Sequence, residues 1–280
     1  EQRDRWHTIE ISAYDTPNVQ AGRIVVPGLV TTEDVQERLE TYGEDHPLYR
    51  AGVLCEWATS LENSLIALEW ATAAIERNLC MRCSELIEES HQCAAPLPAP
   101  VLGVDVARYG NDYTVIMRRD GPLVQIVAKM HGNDTQQVAG KVARYCLDNS
   151  VRDGAVVVDE TGVGGGVVDR LRETGTGTWA LVPFQDGERA TDSSRYANRG
   201  AEAWYAMREQ FRLKRISIPR DQKLIGQLVS RRYSVQGDAR VKLQSKEEMR
   251  RDGRASPDEA DALAMTFGAL IRPRLRVLST

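Results

Sequence analysis

No run of apolar residues in this 280-residue chain approaches the roughly 20 that a membrane-spanning helix needs. No membrane partner is therefore expected. A cysteine framework is missing too: five cysteines stand at irregular spacing, which does not read as a disulfide scaffold and favours a reducing cytoplasm. Global positive charge is also absent. The formal net charge is −4, so any nucleic-acid surface has to be a local basic patch on an acidic background. The chain opens on Glu1 and a charged stretch without the pattern of a secretory signal, and origin in a longer protein is expected. A Walker A loop, G-x4-G-K-[ST], occurs nowhere, which removes ATP hydrolysis by that route. What is present is ordinary for a soluble globular chain, 42% hydrophobic and 27% charged residues. The length allows one sizeable core or two unequal domains.

Composition breaks at Ala94–Pro100, AAPLPAP, where three prolines predict an extended linker. Before it, Thr31 and Thr32 with Glu33 and Asp34 open a helix through Glu40, and Glu62–Asn78 carries a second helical pattern. After it the pattern changes. Val101–Val106, Tyr113–Met117 and Leu123–Met130 read as strands, the last two joined through Asp120-Gly121. Thr135–Leu147 reads as a helix, Ala155–Val158 as a strand ending at Asp159, Gly166–Glu173 as a helix and Trp179–Phe184 as a strand. Asn198–Leu213 predicts a long helix, Tyr233–Val235 with Ala239–Leu243 a hairpin, and Ser256–Leu270 a closing helix. The expected fold class is α/β: a mixed sheet flanked by helices, in the strand–helix order of a ribonuclease-H-like domain, preceded by a smaller, mostly helical linker segment. The expected divisions are 1–100, 101–272 and a tail at 273–280.

The carboxylates carry the chemistry. Asp105 interrupts the most hydrophobic strand, where a lone Asp is costly unless something neutralises it. Asp159 directly follows the apolar run AVVV. In SPDEAD, Ser256 and Pro257 start a helix, Glu259 is placed to complete a capping box, and Asp258 and Asp261 share one face three residues apart. Hard divalent cations want rigid oxygen ligands, and two of them about 4 Å apart can clamp both sides of a phosphodiester displacement. Taken singly, Asp112 and Asp258 could equally be cap or turn residues, whereas Asp105 and Asp159, which both interrupt or end buried strands, fit that reading less well. Asp112, in a turn, is a further acidic candidate.

Three other features stand out. Arg231, Arg232, Arg240, Lys242, Lys246 and Arg250 concentrate around the predicted hairpin, a pattern suited to phosphate contact or to a merely solvated loop. Gly162, Gly164, Gly165 and Gly166 lack the rest of a dinucleotide fingerprint, and either approach a phosphate or shape the turn after Asp159. Cys80, Cys83, His91 and Cys93 could give a structural zinc four tetrahedral ligands, although H-x-C is an uncommon spacing. Alternatively, Leu79–Cys93 is one amphipathic helix with small apolar cysteines.

GVDVARYGNDYT, VVVDETGVGGGVVDRL and SPDEADALAM, in that order over Val101–Ile271, resemble the nuclease domain of phage terminase large subunits. ISAYDTPN and YGEDHPLYRAGVLCEW resemble the stretch that ends the packaging ATPase domain of that family. The resemblance implies a magnesium- or manganese-dependent endonuclease that cuts concatemeric double-stranded viral DNA, with Asp105, Asp159 and Asp261 as catalytic metal ligands and Asp258 and Asp112 as auxiliaries. It also implies the partners of such a motor, namely its own ATPase domain, a small terminase subunit and a portal, at a procapsid in the host cytoplasm. The zinc-like cluster has no counterpart in that resemblance. A Holliday-junction resolvase would use the same carboxylates. An actin-like ATPase would need two such halves, and a non-catalytic DNA-binding scaffold leaves Asp105 and Asp159 unexplained.

Overall fold

The computed structural model describes residues 9–42, 44, 47–56, 64–107, 113–149, 151–175, 179–237 and 240–268. Asp112 and the 273–280 tail lie outside them. The first part carries a 3-10 turn at Ala13–Asp15 and the helices α1 (Pro17–Ala21), α2 (Thr32–Tyr42), α3 (Pro47–Gly52) and α4 (Leu68–Ala73). Ala13, Val35, Tyr49 and Val53 form a small buried cluster of their own there. Thr31 and Asp34 exchange reciprocal hydrogen bonds at the start of α2, as the sequence leads one to expect. Of the pattern over Glu62–Asn78, of which Glu62 and Asn63 lie outside the described residues, the described part forms a helix over the six residues of α4.

Next come β1 (Val101–Asp105), β2 (Thr114–Asp120), β3 (Leu123–Met130), α5 (Thr135–Asp148), β4 (Ala155–Asp159), α6 (Gly164–Thr174), β5 (Ala180–Phe184) and α7 (Arg199–Arg212). The chain then runs through α8 (Gln222–Ser230), β6 (Tyr233–Val235), β7 (Val241–Leu243), α9 (Lys246–Arg251) and α10 (Asp258–Gly268). The main sheet has the order β3-β2-β1-β4-β5. β1 pairs antiparallel with β2 and parallel with β4, and β4 pairs parallel with β5. This is the mixed sheet flanked by helices that the sequence predicts.

Strand alternation sends residues to two cores. Leu102, Val104, Val156 and Val158 pack with Val138 and Val142 of α5 and Val167, Val168 and Leu171 of α6. Val101, Ala155, Val157 and Phe184 pack on the other face with α7, α8 and α10. That second core also contains Leu65, Ile66, Ala71 and Ala74. Packing on the sheet therefore begins well upstream of the proline-rich break at Ala94–Pro100. Sequence composition reports where the chain is extended, not which core a short preceding segment joins.

Gly103 sets how closely α10 approaches the sheet. A Cβ there would stand 1.9 Å from the carbonyl oxygen of Ala262, so only glycine lets the helix lie directly on β1. The helix opens differently from the expected capping box. α10 begins at Asp258, and the Gln227 side chain of α8 accepts from the N–H groups of Glu259 and Ala260. Glu259, freed from capping, is fully buried and pairs with Lys129 at 2.9 Å.

Candidate metal centre

Val104 and Val158 are the last residues paired between parallel β1 and β4. Asp105 and Asp159 each follow by one residue, so they emerge side by side at the same end of the sheet. Both fall on the odd-numbered face, with Val101, Ala155 and Val157, toward α10. α10 presses Asp258 and Asp261 toward them across Gly103. Asp186, two residues beyond the end of β5, completes the group: the charges of Asp261 and Asp159 both act on it. Sequence reading missed Asp186, although it trails the strand ALVPF, because Gln185 separates it from that apolar run and Gln185-Asp186-Gly187 reads as an ordinary turn.

The electrostatics are those of crowded negative charge. Burial holds the Asp105 carboxyl well above the usual carboxylate range against the pull of Lys246, and Asp261, Asp258 and Asp159 push it the same way. Burial likewise raises Asp159, opposed by hydrogen bonds from Thr161, whose N–H donates to Oδ1 at 2.9 Å. Asp186 is pushed up to about 6 by burial first and the charge of Asp261 second. Asp261 is the exception. Burial works against its ionised form, but Lys246 and Arg231 outweigh it and hold the group lowered. The Lys246 ammonium lies 2.8 Å from Asp261 Oδ2, and the Trp204 indole N–H donates to Oδ1 at 2.9 Å. Asp258 Oδ2 accepts from the Tyr113 N–H at 3.2 Å.

Lys246 and Arg231 are thus not placed as surface DNA contacts. Arg231 is buried against the Trp204 ring, 5.3 Å from its centroid, with Nη1 on the Met249 sulfur. Lys246, at the start of α9, carries its charge into the carboxylates, and Asp261, Asp105 and Asp186 all raise its pKa. Lys242 and Arg250 are exposed, and Arg232 and Arg240 half-buried, around the β6–β7 hairpin. In the glycine run, a Cβ at Gly164 would stand 1.6 Å from the Asp159 carbonyl oxygen. Close packing behind that carboxylate accounts for this glycine without any phosphate.

Five aspartates against two cations, all oxygen donors and mostly buried, suit hard divalent ions. Asp261 Oδ2 is buried and, among the described residues, faces the Lys246 ammonium at 2.8 Å, so that a cation already stands where this carboxylate would meet a metal. In metal-free protein the same crowding costs stability as pH rises. Asp186, ordinarily near 3.8, titrates at about 6 when folded, so its contribution is fully present below about pH 4 and lost as pH passes through about 6. Asp186→Asn, followed by urea unfolding in EDTA, should gain on the parent by about 2 kcal/mol more at about pH 8 than at about pH 4.5. A pH-independent difference would show that the carboxyl is not crowded.

No family model matches the chain, and no curated protein matches it. Solved structures do. The nuclease domain of the large terminase subunit of bacterial virus Sf6 aligns with a TM-score of 0.59 at 20% identity, covering 73% of this chain and 98% of that one. A variant of that domain solved with manganese gives 0.58 at 19% identity, with the same coverage. The large terminase nuclease of thermophilic phage G20c gives 0.50 at 15% identity over 74% of this chain and 98% of its own. At these identities the likeness is one of architecture: this chain has the ribonuclease-H-like fold of the large terminase nuclease domains.

Proposed function

We propose that the chain is a metal-dependent endonuclease that hydrolyses double-stranded DNA, the cutting part of a viral DNA-packaging motor. One observation carries the reading: Asp105, Asp159 and Asp186 trail three neighbouring parallel strands and meet Asp258 and Asp261 of α10. Structural carboxylates are not needed there in such number, and each buried one is costly on its own. Asp105, Asp159 and Asp261 would hold magnesium or manganese, with Asp258 and Asp186 as further ligands or positioning groups. Two divalent cations supply charge stabilisation on both sides of a phosphodiester displacement. The chain's own part is to fix the ligands. The Thr161 N–H orients Asp159, the Trp204 indole orients Asp261, and Gly103 lets α10 reach the strand ends. Lys242 of the hairpin, Arg232 and Arg240 beside its strands and Arg250 of α9 give phosphate contacts without sequence choice.

The fold shared with terminase nuclease domains supports placing this activity in genome packaging. In that setting the substrate is concatemeric viral DNA. Residues 1–100 would come from the end of the motor's ATPase domain and its linker. A small terminase subunit and a portal would be the partners, at the procapsid in the host cytoplasm. The test is plasmid cleavage with magnesium or manganese, beside EDTA and Asp159→Ala. Metal-dependent cutting that disappears in the variant is expected. Cutting that survives both EDTA and the substitution would overturn the assignment.

A further inference from the structure

The segment from Leu79 to Cys93 is not the helix that one reading of its sequence allows. It folds back on itself: Cys80 N–H donates to Glu85 O at 2.8 Å, Ser84 N–H to Cys80 O at 2.9 Å, and Leu79 bridges Leu86 in antiparallel register. Ser84 holds a left-handed φ of 62° at the turn, a conformation costly for a residue with a side chain. Little hydrophobic burial offsets that cost. Met81, Leu86 and Ile87 are exposed, at 37%, 44% and 45%. With only Leu79 and Cys80 buried and a single antiparallel bridge, such a loop needs another source of order.

The side chains supply one. The ligand atoms of Cys80, Cys83, His91 and Cys93 all lie within 4.8 Å of one another. Zinc–thiolate bonds of about 2.3 Å in a tetrahedron place the sulfurs about 3.8 Å apart, so a small contraction closes the site. Cys83 Sγ and His91 Nε2 already stand 3.6 Å apart. The N–H groups of Cys83 and Arg82 point at the Cys80 sulfur. These are the backbone donors that hold a thiolate in place for a metal. All three cysteines are free. A disulfide between any two would leave the third cysteine and the histidine aimed at an empty centre.

We propose that Cys80, Cys83, His91 and Cys93 bind one structural zinc ion, separate from the carboxylate centre. The site lies at the opposite end of the sheet. Glu85 pairs with Arg215 at 3.1 Å, and neighbouring Ser217 bridges Leu123 at the start of β3, which sits opposite Asp120. The Val101 end of β1, antiparallel to Arg119, is at that same edge, away from Asp105. Zinc therefore ties Cys93, eight residues before β1, to the turn at Cys80–Cys83, and Arg82 reinforces the tie by donating to the Ala95 carbonyl. Its role is to anchor the extended segment that enters the central strand. All four ligands are taken from the chain, so the site is closed, as structural zinc sites are.

The decisive measurement is metal content of the whole purified chain by elemental analysis. About one zinc per chain is expected, retained in Asp105→Asn and lost in Cys83→Ser with Cys93→Ser. Because the cysteine variant could fail to fold, the parent is also stripped of zinc and titrated with cobalt(II). Tetrahedral d–d bands with a thiolate-to-cobalt charge-transfer band are expected at one equivalent. Chelation should lower the melting temperature of the parent by about 5 °C or more. Cobalt that binds without a charge-transfer band, or zinc that is lost with Asp105→Asn and kept with the cysteine variant, would overturn the proposal.

Discussion

Asp105→Asn should reduce metal-dependent DNA cleavage by at least about 10³-fold, because a cation's stabilisation of the displacement is worth several kcal/mol. Substituting Asn keeps the size and neutralises the charge. It also relieves the crowding that raises this carboxyl, so the metal-free protein should become more stable, not less. The two effects have opposite sign, and this separates a ligand from a structural residue. A structural Asp105 would lose stability and activity together. Manganese should raise the melting temperature of the parent clearly and that of the variant little, since a ligand stabilises only the state that binds it. A variant that cuts normally, or that still gains the full manganese shift, would remove Asp105 from the centre.

Lys246 gives the second large effect. It is the cation shared by Asp105, Asp159, Asp186 and Asp261. With its side chain 30% exposed and its ammonium 2.8 Å from Asp261, removal leaves a buried carboxylate without its partner. Lys246→Ala in EDTA should therefore cost about 1–3 kcal/mol. Manganese restores positive charge at the same place, so its stabilising shift should be larger in the variant than in the parent. Lys242→Ala, on the exposed side of the hairpin, should leave stability within about 0.5 kcal/mol and weaken only DNA binding, with a shallower salt dependence. Equal manganese shifts in parent and Lys246→Ala would mean that the lysine does not share the cation's place.

Much of the frame could be read without coordinates. Strand and helix order from β1 to α7 follows from runs such as VLGV and AVVV and from the helical spacing of Val138 and Val142, because period and β-branching are local properties. Asp105 and Asp159 were legible for the same reason: a carboxylate that breaks or ends a buried run has to be met by something. α8 was readable in principle, with Asp221 capping the Leu224 N–H and Leu224, Ile225, Leu228 and Val229 at helical spacing, but it is short and nearly all buried. α9 has only six residues, five of them charged or polar, and offers no apolar stripe.

By itself the sequence determined the α/β class, the succession of strands and helices from β1 to α7, and the placing of Asp105 and Asp159 at strand ends. Tertiary structure alone decided which charges share a site. Lys246 and Arg231 belong to a basic stretch in which every residue looks like a surface contact, yet packing turns these two inward to the carboxylates and leaves Lys242 and Arg250 outside. Asp186 joins because β5 ends beside β4, and Glu259 leaves its expected cap because Gln227 and Lys129 reach α10 from other elements. The reason is physical: periodicity reports which face of an element is apolar, whereas the partner of a buried charge is fixed by contacts between segments distant in the chain.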